Sequence, residues 1–416
     1  MKRELNGNQE MKTAMEALNE ALRVLRKAPI FTNTEAAHMA NLQALANIDV
    51  TPPTKEQWVE LYNLAKHVLA LEPWRYLYET ERITLLLPER DEPVYCITMG
   101  SGEMTYGICI CPGYDSLNRL LKLSDDDHDD EANFSAMFEQ HCINLYFGDR
   151  EELEKEETAM IKELGLKFRG KNQWPYFHSM KPGYVPWHIN REEAELTITV
   201  LQNYIMAFSS FELGLAVDFE DGQTLLRFYS PKNDMWYNYG YEMPPIPVIK
   251  PQLIIVDDMD VAQLKKKKTN KAELGVIIMY LPLPYQEERG ARPKIPHIAF
   301  LVDAKSGMMI DMAFDQELTI EVVAIQMLTK YILNEGRPLC ISVPCKKTAV
   351  YVKDFASKLG IKLKIDMELR DVAAKMISMM SSDIDHEEML HKMLDDLPEN
   401  LLEELLKELP DTLFPR

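Results

Sequence analysis

The clearest pattern of apolar and polar positions lies in residues 275–365. There GVIIMYLPLPY, PHIAFLVDAKSG and MMIDMAFD read as three strands, the last two joined by a tight turn. The apolar spacing becomes helical in LTIEVVAIQMLTKYILNEG, returns to a strand in PLCISVP, turns helical again in KKTAVYVKDFASKLG and closes on the strand IKLKI. A meander of three strands followed by alternating helix and strand is the element order of a ribonuclease-H-like α/β domain. Fold alone assigns no activity.

Upstream, Thr54 is placed to cap a helix whose buried side carries Trp58, Leu61, Tyr62, Ala65, Val68 and Leu69, and Pro73 ends it. ITLLLPE, PVYCITMG and TYGICICPG are strand candidates. A short helix over residues 116–123, a helix near Phe134, the strand CINLYFG and the acidic helix EELEKEETAMIKELG follow. Two strand-like pieces flank the turn Pro182-Gly183, and Asn190 caps a long helix with Glu192 and Glu193 at the positive end of its dipole. LLRFYS and MWYNYGY are the last strands before YEMPPIPVIKP, whose four prolines in eleven residues favour a stiff, extended linker. QLIIVDD reads as a strand opening the second half, and LKKKKTNK as a solvated basic loop.

Both ends of the chain carry amphipathic patterns. Met11, Ala14, Met15, Leu18, Leu22 and Leu25 make one helical stripe, with a weaker helix over residues 35–46. Near the other end Met389, Leu390, Met393, Leu394 and Leu397 make a second stripe. Pro398 interrupts it, and Leu401, Leu402, Leu405, Leu406 and Leu409 make a third. Residues 383–416 hold eleven acids against three bases. These faces need a cover: the chain's own body, a second copy, or a protein partner through helix-in-groove contact. The expected organisation is α+β: a helical segment 1–50, an α+β domain 51–240, a linker 241–251, a ribonuclease-H-like α/β domain 252–381 and an acidic helical tail 382–416.

Composition narrows the function classes. A chain of 416 residues suits two domains, and 46% hydrophobic with 27% charged residues is ordinary for a soluble protein. A net charge of −20 disfavours nucleic acid and anionic lipid as partners, because both are bound by neutralising phosphates. The start MKRELNGNQEMK has no apolar region behind it, and no stretch approaches the roughly 18 apolar residues of a membrane span, so a cytoplasmic protein with no membrane association is expected.

A ribonuclease-H-like nuclease needs acids on its first strand, near the end of its fourth and on a later helix, converging on two metals. GVIIMYLPLPY carries none, and PLCISVP ends in Ser342, Pro344 and Cys345. Only the last position can be met, by Asp366, Glu368 or Asp371. Asp303, Asp311 and Asp315 surround the turn DAKSG, where an Asp more simply bonds the turn's own backbone than a metal. The glycines of MGSGEMTYG lie between two strands and read as hairpin glycines rather than a phosphate loop. SDDDHDDE lacks the Gly and closing Glu of a calcium loop, and the histidines of HEEMLH are five apart, off the zinc-helix spacing. Cys109 and Cys111 share a strand face, as a redox or metal pair or as core thiols; all the cysteines but Cys345 sit in apolar, strand-like runs, as reduced core cysteines do. Cys345, before a helix, is the best candidate thiol, but no base is identified for it. The aromatic stretch from Trp174 to His188, with His178 inside it, either lines a pocket or packs between sheet and helix. No catalytic, cofactor-binding or metal residue is therefore assigned, and no cofactor is expected.

A helix ending in EPW, the strand leading into MGSGE with TYG after it, PGYVPW ahead of REEAE, and GRPLCISV followed by LGIKLKI together resemble a widespread bacterial family of two-part proteins known only as domains of unknown function. The resemblance spans residues 54–380. It implies two domains and an intracellular setting, and carries over no activity. The expectation is a non-catalytic binding or regulatory module acting through protein contact, or through self-association of its terminal helices. Two alternatives stay open: a hydrolase-type enzyme with a pocket near Trp174 to His188, and a nucleic-acid-associated protein with an inactive ribonuclease-H-like domain, using Lys265 to Lys268.

Overall fold

Helix α1 (Lys55–Leu71) starts at Thr54 because Thr54 and Gln57 exchange capping-box bonds, and it stops where Glu72 turns left-handed ahead of Pro73. The computed structural model describes Glu16 and residues 51–124, 136–242, 257–281, 284–286, 291–314 and 319–381. The helices expected over residues 10–27 and 35–46, the acidic loop 125–131, Phe134, the linker beyond residue 242 with QLIIV, Asp315, HEEMLH and the tail 382–416 lie outside the described residues.

Eight strands form the first sheet: β1 (Arg82–Leu86), β2 (Val94–Met99), β3 (Tyr106–Pro112), β4 (Cys142–Gly148), β5 (Trp174–Met180), β6 (Trp187–His188), β7 (Gln223–Ser230) and β8 (Met235–Glu242). Their order is β6-β5-β4-β3-β2-β1-β7-β8, antiparallel throughout except where β1 meets β7. Helices α2 (Tyr114–Leu121) and α3 (Lys155–Glu163) follow β3 and β4. Asn190 and Glu193 close a capping box at the head of α4 (Arg191–Glu212). Helices α1 and α4 pack side by side, burying Leu61, Val68, Tyr204 and Phe208 against Ile83, Leu85, Ile108 and Leu145. α2 covers part of the other face over Tyr95, Cys109, Cys111 and Cys142. Burial on both faces explains why β1 to β4 read as nearly continuous apolar runs.

The second sheet comprises β9 (Glu273–Tyr280), β10 (His297–Asp303), β11 (Met309–Phe314), β12 (Cys340–Val343) and β13 (Lys362–Ile365), in the order β11-β10-β9-β12-β13. β9, β10 and β11 are antiparallel, while β12 runs parallel to β9 and β13. Helices α5 (Asp258–Lys265), α6 (Ile320–Glu335) and α7 (Lys346–Leu359) cover one face through Leu264, Leu328, Val352 and Phe355. α8 (Leu369–Ser381) covers the other, where Leu369, Ala373 and Met376 meet Ile277, Ile298 and Phe300. Gly275 permits this approach: a Cβ there would stand 2.8 Å from Leu369 Cδ2.

Helix α8 has no counterpart among the elements assigned from the sequence, and neither has α5. Asp257 accepts from the Met259 amide at 2.7 Å, Asp258 and Asp260 sit in the first turn and Lys265 in the last, so its charges run with the helix dipole. The described residues thus form eight α-helices and two mixed sheets, an α+β protein of two halves.

Candidate functional site

The turn Pro182-Gly183, with Gly183 at φ +76°, carries the first half into the second. The Gly183 amide donates to Phe138 O at 2.8 Å, Val185 N to Pro293 O at 3.1 Å, and Ile295 N to Gly183 O at 2.9 Å. Tyr184 bridges Lys294, which in turn pairs with Tyr285. Arg292 pins this exchange. Its Nε donates to Val185 O at 2.9 Å, its Nη1 to Ser179 Oγ at 3.2 Å and its Nη2 to Ser179 O. Ser179 Oγ is oriented by donating to Glu193 Oε1 at 2.7 Å, and Lys181 approaches the same carboxylate at 3.2 Å. Burial lowers the Arg292 pKa to about 10, with Glu193 and Tyr184 pulling the other way.

A second cross-domain contact lies beside it. Lys347 of α7 pairs with Glu139, and Phe138 packs on Tyr280, whose ring stacks on His297 with centroids 4.2 Å apart. Burial favours a neutral Glu139, but Lys347, Lys122 and Arg119 outweigh it and hold the carboxyl below its usual range. Burial, reinforced by Lys347, pushes His297 down to about 3, so this imidazole is neutral at ordinary pH.

The aromatic segment packs. His178 is 4% exposed, lies edge-on to Tyr146 and Tyr176, and has Nε2 3.5 Å from Glu157 Oε1 without a hydrogen bond between them. His188, its cross-strand neighbour, is half-buried and engages Glu154 at 2.9 Å. That bond raises the His188 pKa against the opposing effect of burial. Cys109 and Cys111 lie side by side with sulfurs 3.8 Å apart, both buried; hydrogen bonding to Cys111 and Cys142, with burial, raises the Cys109 pKa and keeps it a thiol. Cys345 sits at the head of α7, 3.5 Å from Thr348 Oγ1. Asp303 binds its own turn, accepting from Ser306 N and Ser306 Oγ at 2.8 Å each, and Asp311 pairs with Lys330 at 2.9 Å. In the MGSGE hairpin the amides of Gly100 and Ser101 donate to Glu79 at 3.1 and 3.2 Å. An internal carboxylate therefore occupies the donors a phosphate would need. Among the described residues no group of three or more His, Cys, Asp and Glu is placed to hold a metal ion.

An open groove runs between α7 and β13. Lys346, Ala349, Val350, Lys353, Ala356 and Ser357 share one face of the helix, and Ile361, Leu363 and Ile365 line the strand side, enclosing about 410 Å³. β13 is the last strand of its sheet, and Ile365 is 50% exposed. Neighbouring lysines have acids in reach, Lys358 with Asp354 and Lys364 with Asp366. Lys346 and Lys353 enter none of the ion pairs among the described residues. Sequence reasoning found neither: the junction joins residues from distant segments, and the groove exists only once the consecutive elements α7 and β13 pack.

The fold and these sites define a two-domain α+β protein with halves joined by mutual backbone pairing. Residues 58–227 match a family model described as a domain of unknown function, DUF7309, and residues 260–380 match a second domain of unknown function, DUF6930. The two matches fall one on each half of the chain, and both families are described only as domains of unknown function. No curated protein matches it at a significant level. Among the described residues no helix is long and apolar enough to cross a membrane.

Proposed function

We propose that the protein is a non-catalytic, cytoplasmic binding module that acts through protein contact at the groove between α7 and β13. The groove itself carries this reading: an apolar floor on an open sheet edge, rimmed by lysines without acidic partners among the described residues. Its complement is an acidic helix with a leucine face, the chemistry of residues 398–410, PENLLEELLKELP, in this chain or a second copy. β13 is short, with Lys362 and Lys364 along it, which guards the strand against edge-to-edge pairing and leaves the groove as the binding feature.

A ribonuclease-H-like scaffold without nuclease chemistry belongs to the same proposal. The order β11-β10-β9-β12-β13, with three antiparallel strands followed by parallel additions through α6 and α7, supports it. Within β9, Leu274 to Tyr280 bear no acid, and Glu273 at its start pairs with Lys305 at 3.0 Å. The packed His178 and the engaged His188 favour binding over a hydrolase pocket in that segment.

The test is fluorescence anisotropy of a labelled peptide of residues 383–416 against the protein lacking those residues. Binding is expected at low salt and is expected to weaken on Lys346→Glu with Lys353→Glu. No binding, or binding indifferent to charge reversal, removes the proposal.

A further inference from the structure

Arg227 of β7 lines a cavity of about 330 Å³ between β7, β8, α4 and the segment after β1. The residue is 6% exposed. Its Nε donates to Asn203 Oδ1 at 2.8 Å and its Nη1 to Asn238 Oδ1 at 3.0 Å, and its Cζ stands 4.6 Å from the centroid of the Trp236 ring. Each amide is fixed from behind. Asn203 Nδ2 donates to Thr199 O at 2.9 Å, and Asn238 Nδ2 donates to Ser210 Oγ at 2.6 Å. These partners orient the guanidinium but bring no charge to it. A guanidinium has five N–H donors, so the two amides leave most of them to the cavity. No carboxylate among the described residues stands within ion-pairing distance, and burial alone accounts for the fall of this pKa to about 10. A buried, preorganised cation without a counter-ion is costly to the fold and ready for an anion.

We infer that this cavity binds a small organic monocarboxylate, its oxygens on Arg227 and its apolar body against Trp236, Leu87 and Met206. A planar guanidinium fork matches a carboxylate, and the volume lies in the range of small-ligand sites. Glu89 lines the same cavity, so a multiply charged phosphate meets repulsion where a single charge is tolerated. Thr199 and Gln202 supply polar wall groups for the rest of the ligand. This site belongs to the first domain and stands independently of the groove on the second.

The test is a thermal-shift titration of the full chain with sodium benzoate and with inorganic phosphate at matched ionic strength. Benzoate is expected to raise Tm saturably, and Arg227→Met to weaken its binding about tenfold or more. Met206 is 55% exposed on α4, so Met206→Glu tests the site without disturbing the core. A carboxylate at that rim is expected to raise Tm without ligand and to abolish the benzoate response, whereas Met206→Gln keeps the response. Absence of a benzoate shift in the wild type, an equal shift in Arg227→Met, a shift that survives Met206→Glu, or a phosphate shift larger than that of benzoate overturns the inference.

Discussion

Arg292 and Arg227 are both withdrawn from water, and burial lowers both guanidinium pKa values to about 10. Their surroundings differ. Arg292 spends its donors on Val185 O and on Ser179 with the Glu193 carboxylate behind, so it is charge-supported by the fold and ties two domains. Arg227 is bonded by two amides, lies over an indole and opens on a cavity. One buried cation is satisfied within the chain, whereas the other is shaped for something outside it. Degree of burial does not separate the two roles; a carboxylate close behind the neutral partners does.

The sharpest way to break this contrast is at the junction. Arg292→Met leaves Val185 O and Ser179 O without their donor, and a loss of about 3 kcal/mol or more is expected. Calorimetry should show the domains uncoupling into separate transitions; a single unchanged transition would show that Arg292 does not couple them. Acid is the next largest lever. The unfolded chain takes up a proton at His297 near 6.5, while the folded junction holds that group down to about 3. Stability therefore falls as pH drops below 6.5, by about 1.4 kcal/mol per unit, or about 2 kcal/mol between pH 7 and pH 5. Denaturant titrations of His297→Phe should lack this component; the same slope in that variant would assign it elsewhere.

A smaller effect of opposite sign belongs to His188. Its folded pKa is raised, so the stability it shares with Glu154 is complete below the unfolded pKa and is lost as pH rises through the folded one. His188→Asn should remove less than about 1 kcal/mol, since the pair is partly exposed, and chiefly on the acid side. Comparable in size is Arg227→Met without ligand. Relief of an unpaired buried charge offsets the two lost amide bonds, and a net change of about 1 kcal/mol or less is expected by chemical denaturation. A loss matching that of Arg292→Met would mean that the two arginines do the same work.

Much of the fold was legible. Thr54 with Gln57 and Asn190 with Glu193 announce helices α1 and α4, because caps are local chemistry. The order of β9 to β13 follows from changes of apolar period. Helix α5 escaped because its apolar pattern, Val261 and Leu264, fills a single helical turn and runs straight into four lysines. The sites were not legible at all. Arg292 meets Val185 from 107 residues away, and Arg227 reaches Asn203 from 24. Nothing local distinguishes an arginine in LLRFYS as the one beneath a cavity. The hairpin reading of MGSGE agrees with Gly100 at φ +123°, yet the carboxylate filling it comes from Glu79, outside any motif.

The pairing of Gly183 and Val185 with Pro293 and Ile295 bears on how such a protein can be divided. A cut at the proline-rich connection separates two lengths of chain, but each fragment keeps a strip of backbone whose complement left with the other. Mixed together, the fragments carry matching seams and the instructions to rejoin. Grafted onto an unrelated neighbour, either half would expose its seam, so the two should travel as one unit through recombination.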